Sequence, residues 1–137
     1  MNASTTDDGS NALMLASQEG HLEVVCELCE RGAKVNAART TDGFTALMWA
    51  SQEGHLEVVR ELFERGANVN SARTDGSTAL MWASQGGHLE VARELCKRGA
   101  NVNAVKIANS STAVKLASLG GHRALVQYLL DHGANMP

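Results

Sequence analysis

The sequence has no long apolar run. No stretch approaches the roughly 18 residues needed to span a bilayer, and Met1 to Asp8 is polar, with neither the basic start nor the apolar middle of a secretion signal. Blocks of like charge are missing too: 12 Lys and Arg against 15 Asp and Glu leave a net charge of -3, with no cluster that could track a phosphate backbone. Membrane and nucleic acid are therefore not expected partners. Cysteine is sparse and odd in number, and Cys26, Cys29 and Cys96 sit inside helical patterns instead of framing loops. That usage suits a reducing compartment, so the expected location is intracellular, cytoplasmic with the nucleus left open. The triplets Asn2-Ala3-Ser4 and Asn109-Ser110-Ser111 resemble glycosylation acceptors but carry no weight without a secretory signal. A length of 137 residues holds one domain with a modest core.

What the sequence does have is a repeat. The block Thr45-Ala46-Leu47-Met48-Trp49-Ala50-Ser51-Gln52-Glu53-Gly54-His55-Leu56-Glu57-Val58-Val59 returns as residues 78–92, as residues 11–25 and more loosely as residues 112–126. Its Gly-His pairs fall at 20/21, 54/55, 87/88 and 121/122, giving steps of 34, 33 and 34 residues by subtraction. The extra residue of the first and third steps is assigned to the connecting loops, where insertions are tolerated. A fixed period of this size is the mark of a stacked repeat architecture.

Within one period, Thr45 is a good helix N-cap, and Leu47, Ala50 and Ser51 share a face at i, i+3, i+4. Gly54 stops that helix. A second helix follows, with Leu56, Val59, Leu62 and Phe63 on its apolar stripe and Glu57, Arg60, Glu61 and Glu64 outside. Gly66 ends it with a positive φ, and residues 67–77 are rich in Asn, Ser, Thr, Asp and Gly, which is turn chemistry. Burying a Leu or Val is worth ~1.5–3 kcal/mol, but a single unit cannot shelter its apolar faces alone, so the units are expected to stack. Glu27 with Arg31, Glu61 with Arg65 and Glu94 with Arg98 are i, i+4 pairs in the favoured order, worth ~0.2–0.5 kcal/mol each.

These residues resemble the ankyrin repeat, whose period is about 33 residues. The resemblance runs from about Asp7 to Met136 and rests on Gly-His in all four units, on Gly32-Ala33, Gly66-Ala67, Gly99-Ala100 and Gly133-Ala134, and on Asn36, Asn70 and Asn103 in the loops. It implies an all-α chain, an α-solenoid of four stacked units over residues 8–41, 42–74, 75–108 and 109–137 within a single domain, residues 1–137. It further implies a binding module with a protein or peptide partner. Two departures stand out. Alanine (Ala46, Ala79, Ala113) replaces the family's proline at the first helical turn, a small loss of preorganisation. Met14, Met48, Met81 and Lys115 replace the family's histidine, which implies looser loop tips. In the last unit Ser110 stands for the turn glycine and Arg123 for the usual leucine, as in an atypical terminal cap.

If Leu47 faces the second helix, Trp49 lies about 200° further round and points to the opposite, concave side. Trp49, Gln52 and Glu53 then form a ladder with Leu15, Gln18 and Glu19, with Trp82, Gln85 and Gly86, and with Leu116, Leu119 and Gly120. Turn residues Asp8, Ser10, Asp42, Phe44, Asp75, Ser77 and Ser111 are expected to project beside it, where the resemblance places partner contacts. Exposed aromatics rimmed by Gln, Asp and Glu have the make-up of an interface core. The competing reading is that Trp49 and Trp82 simply pack over the methionines and turns. Units one to three repeat even their exposed residues almost unchanged, which suits recent duplication, a generic scaffold or a repetitive partner.

Chemistry is not expected. Cys26-Glu27-Leu28-Cys29 has a C-x-x-C spacing, but Cys29 shares the core column of Phe63, Cys96 and Leu130, whereas Cys26 shares the outer column of Arg60, Arg93 and Gln127. No second pair completes a four-ligand zinc site. His21, His55, His88 and His122 recur on helices about 8–10 Å apart, too far to share one ion, and read as loop-ordering residues at the start of each second helix. No unique set of nucleophile, base and orienting group appears. The chain is thus expected to be no enzyme, to need no cofactor or metal and to be a monomer. The alternative is end-to-end self-assembly, in which Val25, Leu28 and Cys29 leave the first unit an apolar end.

Overall fold

A computed structural model of the chain describes residues 10–107 and 109–135. Asp8 and the side chain of Ser10 lie outside the described residues, as do Asn2-Ala3-Ser4 and Met136. Eight helices follow in order: α1 (Ser10–Glu19), α2 (Leu22–Glu30), α3 (Ala46–Glu53), α4 (Leu56–Glu64), α5 (Ala79–Gly86), α6 (Leu89–Lys97), α7 (Ala113–Leu119) and α8 (Arg123–Asp131). They form four helix–turn–helix pairs. The odd-numbered helices pack side by side in one layer and the even-numbered ones in a second. The expected all-α solenoid is what the chain folds into.

Local chemistry sets the helix ends. Thr45, Thr78 and Thr112 are extended, and each hydroxyl accepts from the backbone N–H three residues on, at 3.3, 3.4 and 3.3 Å, which satisfies one of the donors a helix start leaves open. In unit one Asn11 holds the equivalent place, yet α1 begins a residue earlier and takes Asn11 into the helix. Between the layers lie Leu13, Leu47, Leu80 and Val114, with Ala16, Ala50, Ala83 and Ala117 beside them. The alanine column leaves room for neighbouring helices of the first layer to approach closely.

The second helices bury more than one stripe. Val59 and Leu62 are buried and Leu56 and Phe63 half-buried as the stripe requires, but Val58 is buried as well. Its side faces the preceding unit, a neighbour that the amphipathic pattern of one isolated helix does not reveal. The expected apolar end of unit one needs correction for the same reason. Val25 is fully buried and Leu28 and Cys29 are half-buried beneath unit two. The apolar residues open at that end are instead Ala12, Leu15 and Val24.

Two sets of polar ties lock each unit to the next, and a third joins the first three units. Asn36 donates to the Gly66 carbonyl at 3.0 Å and accepts from the Asn68 N–H at 2.7 Å; Asn70 does the same with Gly99 and Asn101, and Asn103 with Gly133 and Asn135. His55, His88 and His122 reach back through Nε2 to the carbonyls of Gln18, Gln52 and Gln85 at 3.0, 2.9 and 3.2 Å. The histidines therefore order the stack between units, not only their own loops. The rings fit because Gly20, Gly54 and Gly87 lack a Cβ: an added one would stand 2.5–2.7 Å from the ring of the following unit, on a backbone whose φ is positive. Arg65 and Arg98 pair within their helices with Glu61 and Glu94, and also reach Glu30 and Glu64 of the preceding unit at 3.6 Å.

The loop tips are held without the family histidine. Met48 and Met81 occupy its place as buried core residues, and the turns are closed by aspartates and arginines. Asp42 Oδ1 accepts from the Phe44 N–H at 3.1 Å and Asp75 Oδ1 from the Ser77 N–H at 2.9 Å. Arg39 pairs with Asp42, and Arg73 Nε donates to the Asp42 carbonyl at 2.7 Å, joining one tip to the next.

Candidate partner-binding face

Trp49 and Trp82 leave the first layer toward the concave side, as the helix geometry requires, but each is half-buried. Phe44 lies between them. Its ring stacks on Trp49 with centroids 4.3 Å apart and tilts against Trp82 at 5.2 Å. Arg39 lies 5.2 Å over Trp49, and Arg73 lies 4.8 Å over Phe44 and 5.8 Å from Trp82. The result is a continuous stack of three aromatic rings laced with two guanidinium planes, geometry in which cation–π attraction adds to packing. One side of each tryptophan ring packs on the loop, and the other stays open.

Three residues expected to project do not. Phe44 is 6 % exposed because its loop folds it over the tryptophans. Ser77 and Ser111 are buried because they close their turns: their carbonyls accept from the N–H groups of Arg73 and Lys106, and their own N–H groups donate to Asp75 and Asn109. Asp42 and Asp75 are half-buried, with their carboxylates turned back onto their own turns. Outward from the tips stand Thr40, Thr41 and Thr74 and, on the last loop, Val105, Ile107 and Ser110.

Two cavities flank the aromatic stack. One, of about 280 Å³, is walled by Trp49 and Arg39 together with Asn11, Met14, Leu15 and Gln18. The other, of about 210 Å³, lies one unit along and is walled by Trp82, Gln52, Gln85 and Gly86. Glu53 and Gln85 are exposed beside them and Gln52 is half-buried. At the second cavity the Trp82 Nε1 donor and the Gln52 Oε1 acceptor are shielded from solvent and have no partner. Arg39 and Arg73 were missed by reasoning from helical pattern, since they lie in non-helical segments. The shared Ala-Arg-Thr triplet at residues 38–40 and 72–74 was the available signal.

The electrostatics of the tips follow from these contacts. The Arg39 guanidinium, helped by the Phe44 N–H and by Arg73, holds Asp42 down at about 2 against the opposing effect of burial. For Asp75, burial pushes upward, but the Ser77 N–H and hydroxyl with Arg73 and Lys106 outweigh it and keep the group low. The cysteine thiols move the other way. Burial raises Cys26, Cys29 and Cys96, with Glu61 adding to it for Cys26 and Cys29. Cys26 is half-buried against unit two instead of exposed, and a raised thiol is a poor nucleophile or metal ligand. Among the described residues no three His, Cys, Asp or Glu side chains gather so as to hold a metal ion.

No helix among the described residues is long and apolar enough to cross a membrane. A search of curated proteins returns no match. A family model described as ankyrin repeats in three copies matches residues 1–73 and, again, residues 70–137. Proteins of this kind generally serve as protein–protein interaction modules and are typically not enzymes. With the period, the helix pairs and the family match all in agreement, the chain belongs to the ankyrin-repeat family.

Proposed function

We propose that this domain, residues 1–137, captures an extended protein segment along its concave face, with Trp49 and Trp82 as anchors and Gln52, Glu53 and Gln85 as the polar rim. Asp42, Phe44, Asp75 and Ser77 shape the loops from beneath, and Asp42 and Asp75 present their remaining open edges. The observation that carries the reading is the pair of cavities one unit apart, each walled by the open side of a tryptophan. Neighbouring helices lie about 8–10 Å apart and an extended polyproline-like chain advances about 3.1 Å per residue. A bound segment would then place an apolar side chain in each cavity at every third residue. The free thiols support a reducing, intracellular setting, cytoplasmic or nuclear.

Panning a random peptide display library on the immobilised domain tests this. Recovered sequences are expected to share apolar residues at i and i+3, and their binding should shift tryptophan emission to the blue. Binding should be lost in the double variant Trp49→Ala, Trp82→Ala and weakened in Gln85→Arg, whose exposed site leaves the helical circular dichroism intact. Peptides that bind the wild type and Gln85→Arg equally, with no change in emission, would move the site elsewhere.

A further inference from the structure

The two ends of the stack are the uncovered halves of a junction that the chain builds three times inside itself. In units two to four, the column of Val58, Val91 and Leu125 is at most 2 % exposed, because the preceding unit covers it; Val24, in the same column of unit one, is 47 % exposed. Ala46, Ala79 and Ala113 are buried in the same way, while Ala12 is exposed. Leu15 is 58 % exposed. Ala12, Leu15, Ala16, Glu19, His21 and Val24 line an open groove of about 420 Å³ on this side. His55, His88 and His122 each bond a carbonyl of the preceding unit, and His21 is exposed at the equivalent position.

The opposite end carries the matching half. Gly20, Gly54 and Gly87 each receive the histidine ring of the next unit, but around Gly121 there is nothing within 4 Å of where a Cβ would stand. Leu119 occupies the place of Gln18, Gln52 and Gln85, whose carbonyls accept those histidines, and its side chain is 74 % exposed. Ser118 is exposed where Ser17, Ser51 and Ser84 are buried, and Val126 is half-buried where Val25, Val59 and Ala92 are fully buried. Ser118, Gly121, His122, Arg123, Val126 and Gln127 line an open groove, also of about 420 Å³.

The polar residues match in register. At the junctions of unit one with two and of unit two with three, the Glu–Arg pair of the later unit faces the unit before it, whereas unit four carries Tyr128 and His132 at those places. Arg65 reaches Glu30, Arg98 reaches Glu64, and Glu94 meets Arg60. Unit one carries the same pair, Glu27 with Arg31, and the two positions it would face on unit four are Gln127 and Asp131. An amide would then donate to Glu27 and a carboxylate would meet Arg31. Charge along the axis points the same way. Residues 8–74 carry ten carboxylates against six Lys and Arg, a net of -4, and residues 75–137 carry four against six, a net of +2. Joining the first end to the last is favoured, and joining like ends is opposed.

We propose that the open face of unit one docks on the open face of unit four of a second copy of this chain, so that His21 enters the space at Gly121 and the stack continues from one molecule to the next. Such a contact is heterologous. Each association leaves one free end of either kind, and growth is limited by concentration instead of closing at a dimer.

Sedimentation and light scattering from micromolar to millimolar chain test it. The wild type should show an average mass that climbs steadily above the monomer. Val24→Glu blocks one face and Leu119→Glu the other, both at exposed positions that leave the fold intact by circular dichroism. Each variant alone should stay monomeric at all concentrations, and an equal mixture should form a complex of two chains and nothing larger. Arg31→Asp should weaken wild-type assembly several-fold, and an Asp131→Arg chain should restore pairing with it. A wild type that remains a monomer throughout overturns the proposal. So does a mixture that stays apart, or a dimer that survives in either single variant.

Discussion

Asp42 shows how one side chain can hold two loops. Its carboxylate takes the Arg39 guanidinium and the Phe44 N–H, while its carbonyl takes Arg73 from the next tip. The group is held at about 2 in the folded chain against an ordinary 3.8. A depressed folded value means that the stabilisation is fully present above the unfolded value and is lost as pH falls from about 4 through 2. With the side chain 25 % exposed, solvent screening reduces its worth to about 1–2 kcal/mol. Asp42→Asn should therefore cost about that much at neutral pH in a denaturant titration. It should also lose less stability than the wild type when the titration is repeated at pH ~3. Asp75 and Glu94, also held low by their partners, keep some acid sensitivity in the variant. Parallel pH profiles for the two proteins would mean that the Arg39 contact does not survive in solution.

Among the elements, the turns of units two, three and four differ at one backbone position. Gly43 and Gly76 sit at φ 78° and 87°, and Ser110, in the equivalent turn of unit four, is forced to φ 58°. A residue with a Cβ pays roughly 1–2 kcal/mol for that region, part of which glycine returns through its freer unfolded chain. Ser110→Gly should raise stability by about 0.5–1 kcal/mol, read as a higher melting temperature, and an unchanged or lower one would show that the last turn relaxes in solution. The departure of Ser110 from the glycine pattern was visible in the sequence, because it is a local matter of one backbone angle. So were the threonine caps and the glycine stops, which depend on residues three or four apart. The burial of Phe44, Ser77 and Ser111 was not visible. Phe44 is set by how its loop lies over Trp49 and Trp82, and Ser77 and Ser111 by the closing of their own turns, and a polar, turn-rich segment gives no period from which a side chain's direction can be read. The roles of Arg39 and Arg73 were hidden for the same reason, and with them the fact that the tryptophans are walls of cavities and not free-standing anchors.

At the scale of the molecule, stability comes from contacts between units, so the same residue should matter differently by position. The fold was legible because its period is written four times. The second buried side of the outer helices was not, because Val58 looks like a solvent-side valine until the preceding unit is stacked against it. Val24, Val58 and Val91 form one column, in one helical setting, and differ in whether anything covers them. Val58→Ala and Val91→Ala each remove buried methyl groups from a packed junction and should cost about 2 kcal/mol. Val24→Ala, measured at dilute concentration where copies stay apart, should fall within about 0.5 kcal/mol of the wild type, as exposed substitutions do. If all three cost the same in urea titrations, unit one's outer face is covered in the isolated chain and the junction is not what sets the column's energy. If Val24→Ala becomes costly only as the chain is concentrated, the missing neighbour is another copy.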